Sequence, residues 1–226
     1  HFPASPLVSL TFVFEGETRL VPAGGGIDEA AIAPPLPKIA VMGPQSRPVT
    51  SWNPGPVYAI SIGFYPDAWA SIAQTPSAEP LLDGPLETPK WSKAFFEQGA
   101  RPENIHAFWE AFQSAVAPHW TAARNRSGTH SWSGAGLIGD WSKSLATKAL
   151  LSAPGSSVRS LERRIRRWTG QNQRALAFYA QVEELHKRIV RNGSSDLAGI
   201  AQEAGYADQS HMGRAVKRLT GFSPER

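Results

Sequence analysis

The fold of the C-terminal part is decided by residues 197–226, which read LAGIAQEAGYADQSHMGRAVKRLTGFSPER. The first of these residues form one apolar helical face, at Leu197, Ile200, Ala201 and Ala204. Gly205 can adopt the left-handed conformation that ends a helix. Asp208 has the kind of side chain that caps the start of the next helix. The pattern therefore predicts a helix, a tight turn and a second helix.

The second predicted helix has one apolar face and one polar, basic face. Its apolar face comprises Met212, Ala215, Val216 and Leu219. Its other face carries Gln209, His211, Arg214, Lys217 and Arg218. Gly221 and Pro224 end the helix. This layout is typical of a helix-turn-helix that places its second helix in the DNA major groove, although a helical hairpin with a solvated charged face has the same spacing.

Residues 205–224, GYADQSHMGRAVKRLTGFSP, closely resemble the second helix-turn-helix of the AraC/XylS family of bacterial transcription regulators. The resemblance rests on the glycine-aromatic corner, the Asp-Gln-Ser-His helix start and the Thr-Gly-Phe-Ser-Pro exit. Met212 and Val216 depart from it, because the family usually has phenylalanine there, but both keep an apolar side chain. Gly213 also departs from it, since a glycine inside a helix costs about 1 kcal/mol relative to alanine.

The family has two such motifs, and residues 156–176, SSVRSLERRIRRWTGQNQRAL, fit the first. We expect Ser157 to cap this helix. Its predicted inner face comprises Val158, Leu161, Ile165 and Trp168. Its Thr-Gly exit repeats that of the second motif, as expected of an internal repeat. Pro154 interrupts the helical run before it, so the supporting helix is either 141–151 with a stretched turn or partly missing.

Residues 173–191 lie between the two motifs and have apolar side chains at helical spacing, which predicts a single helix. A helix of about 19 residues is roughly 28 Å long. Two reading helices on one face of DNA lie about 34 Å apart, one turn of the duplex. A straight helix of this length can therefore set the separation of the two motifs.

Charge divides the chain near the start of the first motif. Residues 156–226 contain 13 Lys and Arg against 7 Asp and Glu, a net charge of +6. Residues 1–155 contain 10 against 12, a net charge of −2. A basic C-terminal third is the electrostatic pattern of a protein that binds phosphates, with a solvated basic face as the alternative.

The resemblance also implies roles for individual side chains. In the second motif the expected base contacts are Gln209, Ser210, Gly213 and Arg214, with His211 near them. In the first motif the matching residues are Arg159, Ser160, Glu162 and Arg163. Arginine can donate two hydrogen bonds to guanine and glutamine can pair with adenine, whereas Glu162 could instead form an ion pair with Arg166. The expected phosphate contacts are Arg164, Arg166, Arg167, Lys217 and Arg218.

The N-terminal part has the pattern of short strands separated by glycine and proline turns, within residues 7–65. The run MGPQSRPVT, followed by VYAISIGFYPDAWASI, resembles the cupin-like N-terminal domain of one branch of AraC-type regulators. Helices are predicted after it, at 67–74, 90–97, 102–118 and 136–151. We therefore predict an α+β chain. An N-terminal β-barrel or cupin-like domain with following helices spans residues 1–135, and an all-α double helix-turn-helix domain spans residues 136–226.

Several kinds of chemistry are not expected. The chain has no cysteine, which excludes disulfides, thiolate metal sites and a cysteine nucleophile. Its six histidines are scattered along the sequence and do not form the His-x-His pair of a metal cupin. No nucleophile elbow, phosphate loop or dinucleotide motif is present. We predict no catalytic residues, no metal and no cofactor, and we expect the protein not to be an enzyme.

Together these features predict a sequence-specific DNA-binding transcription regulator whose partner is double-stranded DNA. The resemblance also allows a small-molecule effector on the N-terminal domain, a homodimer and, for an activator, RNA polymerase. Trp52 and Trp69 flank the strand region and are the candidates for a ligand pocket, although most tryptophans serve core packing. The alternatives are a small-molecule-binding or catalytic barrel whose helical tail docks a protein partner, and a regulator whose barrel binds a protein.

The cellular location follows from what the sequence lacks. No apolar run approaches the length of a membrane span, and the first residues do not have the pattern of a secretory leader. We therefore expect a cytoplasmic bacterial protein without a membrane partner. Because position 1 is not methionine, we also expect a segment to precede it.

Overall fold

The computed structural model describes residues 1–73, 82–97, 104–127, 138–152, 155, 157–192 and 197–223. The strands are β1 Val8–Glu15, β2 Arg19–Pro22, β3 Ile39–Met42, β4 Val49–Trp52 and β5 Tyr58–Phe64. The helices are α1 Ile27–Ile32, α2 Pro66–Ala73, α3 Lys90–Glu97, α4 Ile105–Ser127, α5 Ile138–Leu151, α6 Val158–Thr169, α7 Gln173–Asn192, α8 Leu197–Glu203 and α9 Gln209–Thr220. This order confirms the predicted α+β class, with a sheet-rich first part and a helical second part. The predicted boundary at residues 135 and 136 lies outside the described residues.

The strands form two antiparallel sheets. In the first sheet β1 lies between β3 and β5, and in the second β2 pairs with β4. Phe12 on β1 faces Ile39 on one side and Ile60 on the other. A bulge between Val13 and Glu15 shifts the register of β1 against β5. Closure of these sheets into a cupin-like barrel stays a prediction.

The two faces of β1 have different surroundings, as its alternating sequence requires. Val8, Leu10 and Phe12 are fully buried and belong to a core formed with α2, α3 and α4. The Phe12 ring lies edge-on to the rings of Phe95, Phe108 and Phe112, with a centroid distance of 5.4 Å to Phe95. On the opposite face, Thr11 Oγ1 lies 2.8 Å from Ser61 Oγ of β5. One face of the first sheet is therefore covered by helices, and the other turns toward the second sheet.

Some boundaries differ from those predicted. α1 lies in the region predicted as short strands, where a six-residue helix is too short to establish a helical period. The helix predicted at 102–118 does not end at Pro118, since α4 continues through this proline to Ser127. Phe112 before Pro118 and Ala123 after it are buried in the same core, and this packing holds the helix together across the missing hydrogen bond.

A buried carboxylate joins the sheet-bearing part to the helical part. Asp67, at the start of α2, accepts a hydrogen bond from Nε1 of Trp141 on α5 at 3.0 Å and lies 3.4 Å from Nζ of Lys148. Tyr65 stacks on the Trp141 indole, with ring centroids 4.6 Å apart. Because Asp67 is buried, its charge depends on these partners for solvation.

We expect Asp67→Ala to lower the free energy of unfolding by about 1–3 kcal/mol, because the buried Trp141 N–H loses its acceptor. The matched control is Asp140→Ala, which removes a carboxylate 3.8 Å from the exposed Lys143. That change should cost about 0–1 kcal/mol. Urea unfolding followed by tryptophan fluorescence measures both, and equal losses would contradict the assigned role of Asp67.

Candidate nucleic-acid interface

The helical part consists of two units joined by α7. The first unit comprises α5 and α6, and the second comprises α8 and α9. Leu176, near the start of α7, is buried in the core of the first unit, whereas Leu185 is buried in the core of the second. α7 has 20 residues and is therefore about 30 Å long. The predicted single connecting helix is confirmed, and each of its halves completes one core.

The turn of the second unit forms as the sequence predicted. Gly205 has a positive φ of 78°, and the backbone N–H of Tyr206 donates to Ala201 O at 2.9 Å. The Asp208 carboxylate accepts from the backbone N–H of His211 at 2.6 Å, which caps α9. The buried residues of α9 are Met212, Ala215 and Leu219. Burial of these residues determines which side of α9 faces outward.

The first unit contains a complete supporting helix. Trp141, Leu145 and Ala149 of α5 are buried against Ile165 of α6. Ser157 Oγ accepts from the backbone N–H of Ser160 at 3.3 Å and caps α6, as predicted. Of the two alternatives for the supporting helix, the structure therefore supports the one in which α5 is present. The expected break at Pro154 lies outside the described residues.

α6 and α9 repeat one another at an offset of 51 positions, with caps at Ser157 and Asp208. Each helix ends in a threonine followed by a left-handed glycine. Thr169 Oγ1 lies 2.8 Å from Ile165 O and accepts from Gln171 N at 3.1 Å. Thr220 Oγ1 lies 2.9 Å from Val216 O and accepts from Phe222 N at 3.1 Å. The internal repeat in the sequence is therefore also a repeat in the hydrogen bonds that end the two helices.

Most of the side chains predicted to contact DNA lie on the outside of these two helices. The exposed ones are Arg159, Arg163, Arg166, Arg167, Gln209, Ser210, His211, Arg214, Lys217 and Arg218. Ser160, Glu162, Arg164 and Gly213 are half-buried. At the 51-residue offset, Arg163 and Arg214 occupy equivalent positions. Each reading helix therefore presents an arginine at the same distance from its capped end.

Val158 corrects one part of the prediction for α6. It was placed on the inner face with Leu161 and Ile165, but its side chain is 77 % exposed. The reason is its position as the first residue of the helix, where the periodic inner face runs past the end of the core.

Several predicted DNA contacts already have partners within the domain. Arg164 Nη1 donates to Ala149 O at 3.2 Å, near the C-terminal end of α5. Glu162 Oε2 accepts from the backbone N–H of Gln173 at 3.4 Å, at the start of α7. The Arg218 guanidinium lies 5.1 Å from the centre of the Phe178 ring. The first two contacts hold the C-terminal end of α5 and the start of α7 against α6. The third places the last turn of α9 against α7.

His211 is tied to the turn of the second unit. Its Nδ1 lies 3.4 Å from the backbone N–H of Ala207, which donates to it, and its ring meets Tyr206 edge-on at a centroid distance of 5.4 Å. Because Nδ1 accepts this hydrogen bond, the neutral ring carries its proton on Nε2. His211 thereby combines a packing contact with an outward-facing donor.

The family comparison agrees with this geometry. Residues 150–226 match a family model described as a helix-turn-helix domain. This region is a helix-turn-helix domain of the AraC type. The matched region of this AraC-type domain begins at the end of α5 and includes α6 to α9.

Similarity to individual proteins is weak. No curated protein matches the chain at a significant level. The crystal structure of an apo ToxT variant from Vibrio cholerae strain SCE256 is 12% identical and has a TM-score of 0.37. The alignment covers 99% of this chain and 88% of that one.

Neither a metal-binding cluster nor a membrane-spanning helix is found among the described residues. They contain no group of three or more His, Cys, Asp or Glu that could hold a metal ion. No helix among them is both long enough and apolar enough to cross a bilayer.

A second candidate site is a cavity of about 390 Å³ between the two sheets, which we call the sheet cavity. Its walls are largely apolar, with Phe2, Leu20 and Met42 among them, and carry small polar side chains at Ser9, Thr11, Thr18, Ser51, Asn53 and Ser61. Sequence reasoning missed this cavity, although the polar positions of β1 and β5 that alternate with the buried ones face it. The signal was present, but it could not be interpreted without the pairing of the strands.

The two tryptophans predicted to line a pocket lie outside the sheet cavity. Trp69 is fully buried in the helix-covered core, with its ring centroid 5.2 Å from that of Phe64. It faces this core because it lies on the buried side of α2. Trp52 lies beside the cavity, between the lining residues Ser51 and Asn53, and its ring contacts the Arg19 guanidinium at 5.7 Å.

The repeated threonine allows a matched test of the repeat. Thr169→Val keeps the shape of the side chain but leaves the buried N–H of Gln171 without its acceptor, and should cost about 1–3 kcal/mol of stability. Thr220→Val removes the same hydrogen bonds where Phe222 is exposed, so water can replace them and the loss should be smaller. Urea unfolding of both variants checks this order, and a larger loss for Thr220→Val would refute it.

Proposed function

We propose that this chain is a sequence-specific DNA-binding transcription regulator in which α6 and α9 enter successive major grooves. One observation carries the proposal. Two helices are joined by one helix of about 30 Å. Both have a side-chain cap at the equivalent position, the same threonine hydrogen bonds and an exposed arginine at the same register. In a helix-turn-helix the reading helix lies in the major groove, and its N-terminal residues contact the base edges.

We assign base contacts mainly to the exposed residues near the starts of these helices. In α9 these are Gln209, Ser210 and Arg214, with Gly213 allowing the backbone to come close. In α6 they are Arg159 and Arg163. Ser160, Glu162 and His211 take a secondary place, because Glu162 and His211 already hold backbone groups of the domain. Arginine and glutamine have the donor and acceptor patterns that distinguish guanine and adenine in the major groove.

We assign phosphate contacts to the basic residues nearer the ends of the helices. These residues are Arg166, Arg167, Lys217 and Arg218, all of which are exposed. Contacts of this kind position a protein on the duplex without reading its sequence. Arg164 is better placed to support the fold, since its guanidinium donates to the carbonyl of Ala149.

A selection of binding sites from random duplexes tests the proposal. We expect an enriched site with two parts whose centres are about one helical turn, or 34 Å, apart. Binding that is weak and indifferent to sequence would contradict it. That result would favour the alternative in which the helical part docks a protein partner.

Arginine substitutions should separate base readers from phosphate contacts. Arg214→Ala should relax the preference at one base pair by about 1–3 kcal/mol, because a bidentate contact to guanine is lost. Arg167→Ala should weaken binding to all sequences alike and reduce the slope of log K against log salt by about one. Titrations of single-base variants of the selected site over a range of salt concentrations measure both effects, and a uniform loss for Arg214→Ala would contradict its assignment.

We also propose that the sheet cavity binds an uncharged small-molecule effector. Among the described residues that line it there is no Asp, Glu, Lys, Arg or His. A charged ligand would therefore lose its hydration without gaining an ionic partner. Hydroxyl groups such as those of Ser9, Thr11 and Ser61 favour a ligand with neutral hydrogen-bonding groups. The division into a regulatory domain, residues 1–135, and a DNA-binding domain, residues 136–226, belongs to this proposal.

Contacts from the wall of the sheet cavity to the DNA-binding part support a regulatory role for it. Phe2, Pro3 and Ser5 line the cavity, and the backbone N–H of Ala4 between them donates to Leu219 O of α9 at 2.7 Å. The Tyr179 hydroxyl of α7 donates to Gln45 O at 3.0 Å. Burial raises the pKa of Tyr179 to about 12, so this hydroxyl stays a neutral donor at physiological pH. A ligand that moves these walls also acts on α7 and α9.

Filling the sheet cavity should abolish effector control. We expect a panel of uncharged small molecules to contain a ligand that changes tryptophan fluorescence, because Trp52 lies beside the cavity, and that changes affinity for the selected site. Ser61→Phe should remove both responses and keep binding to DNA. The matched control is Ser114→Phe on the exposed face of α4, which should leave both responses unchanged. Responses that survive Ser61→Phe would place the effector elsewhere.

A further inference from the structure

Val158 is an exposed apolar residue at the start of the first reading helix. It is the first residue of α6, directly after the Ser157 cap, and 77 % of its side chain is exposed. Single exposed apolar residues are common on protein surfaces, and Val190 on α7 is exposed to 71 %. The exposure of Val158 is informative because of where it lies, at the end of a helix whose first residues would meet the bases.

The repeat assigns Val158 a counterpart in the second unit. At the offset of 51 between the caps Ser157 and Asp208, Val158 is equivalent to Gln209. Both residues follow their cap directly and both are exposed. The resemblance implies a base contact for Arg159 but none for Val158, which was predicted to lie on the inner face of the helix. The structural register therefore adds one position to the reading surface of the first unit.

The chemistry of a valine at this position limits what it can read. Its side chain has no donor or acceptor, so it cannot pair with a base edge. The floor of the major groove offers an apolar side chain one distinctive partner, the C5-methyl group of thymine. Contact between the two removes apolar surface from water on both sides.

We propose that Val158 reads the methyl group of a thymine in the part of the site bound by the first unit. The inference rests on the proposed function and adds a specificity-determining residue to it. Consecutive Cα atoms are about 3.8 Å apart, close to the spacing of about 3.4 Å between bases along a strand. The thymine should therefore lie within about two base pairs of the guanine bound by Arg159.

The test replaces each thymine of the selected site in turn by deoxyuridine, which removes only the C5-methyl group. Arg163→Ala and Arg214→Ala identify which part of the site each unit binds. For the unchanged protein we expect binding to weaken about fourfold at one thymine in the first unit's part, the effect of burying about one methyl group. Val158→Ala shortens the side chain and should lower this ratio between the thymine and deoxyuridine duplexes toward one.

Val190→Ala is the matched control, because it makes the same change at a similarly exposed position outside both reading helices. It should keep the fourfold ratio. A site in which no thymine shows this ratio, or a ratio that Val158→Ala leaves unchanged, overturns the inference while the proposed function stands. Failure of the unchanged protein to select any sequence overturns the proposed function and the inference with it.

Discussion

Both helix-turn-helix units depend on the apolar side of one helix, α7. Leu176 closes the core of the first unit against Ile165, and Leu185 closes the core of the second against Met212. Without α7, each pair of short helices would expose the apolar residues that α7 covers, and short helices gain their stability from packing. Since the rise of a helix is fixed, the same contacts that stabilise the two cores also fix their separation. Stability and the spacing of the reading helices therefore have one physical origin.

The sheets extend this constraint to the N-terminal part. One face of β1 is used to bury Val8, Leu10 and Phe12 under helices, which leaves its small polar residues for the sheet cavity. The segment that borders the cavity also bonds the last turn of α9 through Ala4. A change in the cavity does not need a long route to reach the reading helix, because a single stretch of chain contacts both. Local contacts of this kind can bias an equilibrium between two arrangements of a domain.

The sequence predicted those features whose signals are local. The cap at Asp208, the left-handed Gly205 and the buried face of α9 follow from side-chain chemistry and helical period, and all three are present. The continuation of α4 through Pro118 could not be predicted, because it depends on aromatic packing from distant parts of the chain. The exposure of Val158 could not be predicted for a related reason. Helical periodicity identifies the buried face of a helix but not the residue at which the core beside it ends. The sheet cavity required the pairing of β1 with β5, which no local pattern contains.

On the proposed function, the two reading helices divide the work unequally. In α6, Glu162 and Arg164 hold neighbouring helices, and the remaining exposed positions are mostly arginines. Arginines that contact phosphates add affinity that depends on salt but carries no sequence information. α9 instead exposes Gln209, Ser210 and Arg214 near its capped end, and these differ in their donor and acceptor patterns. Base discrimination by hydrogen bonds should therefore come mainly from α9. The two base-contacting arginines of α6 are joined by phosphate contacts that add affinity, and Val158 adds a contact with the C5-methyl group of thymine.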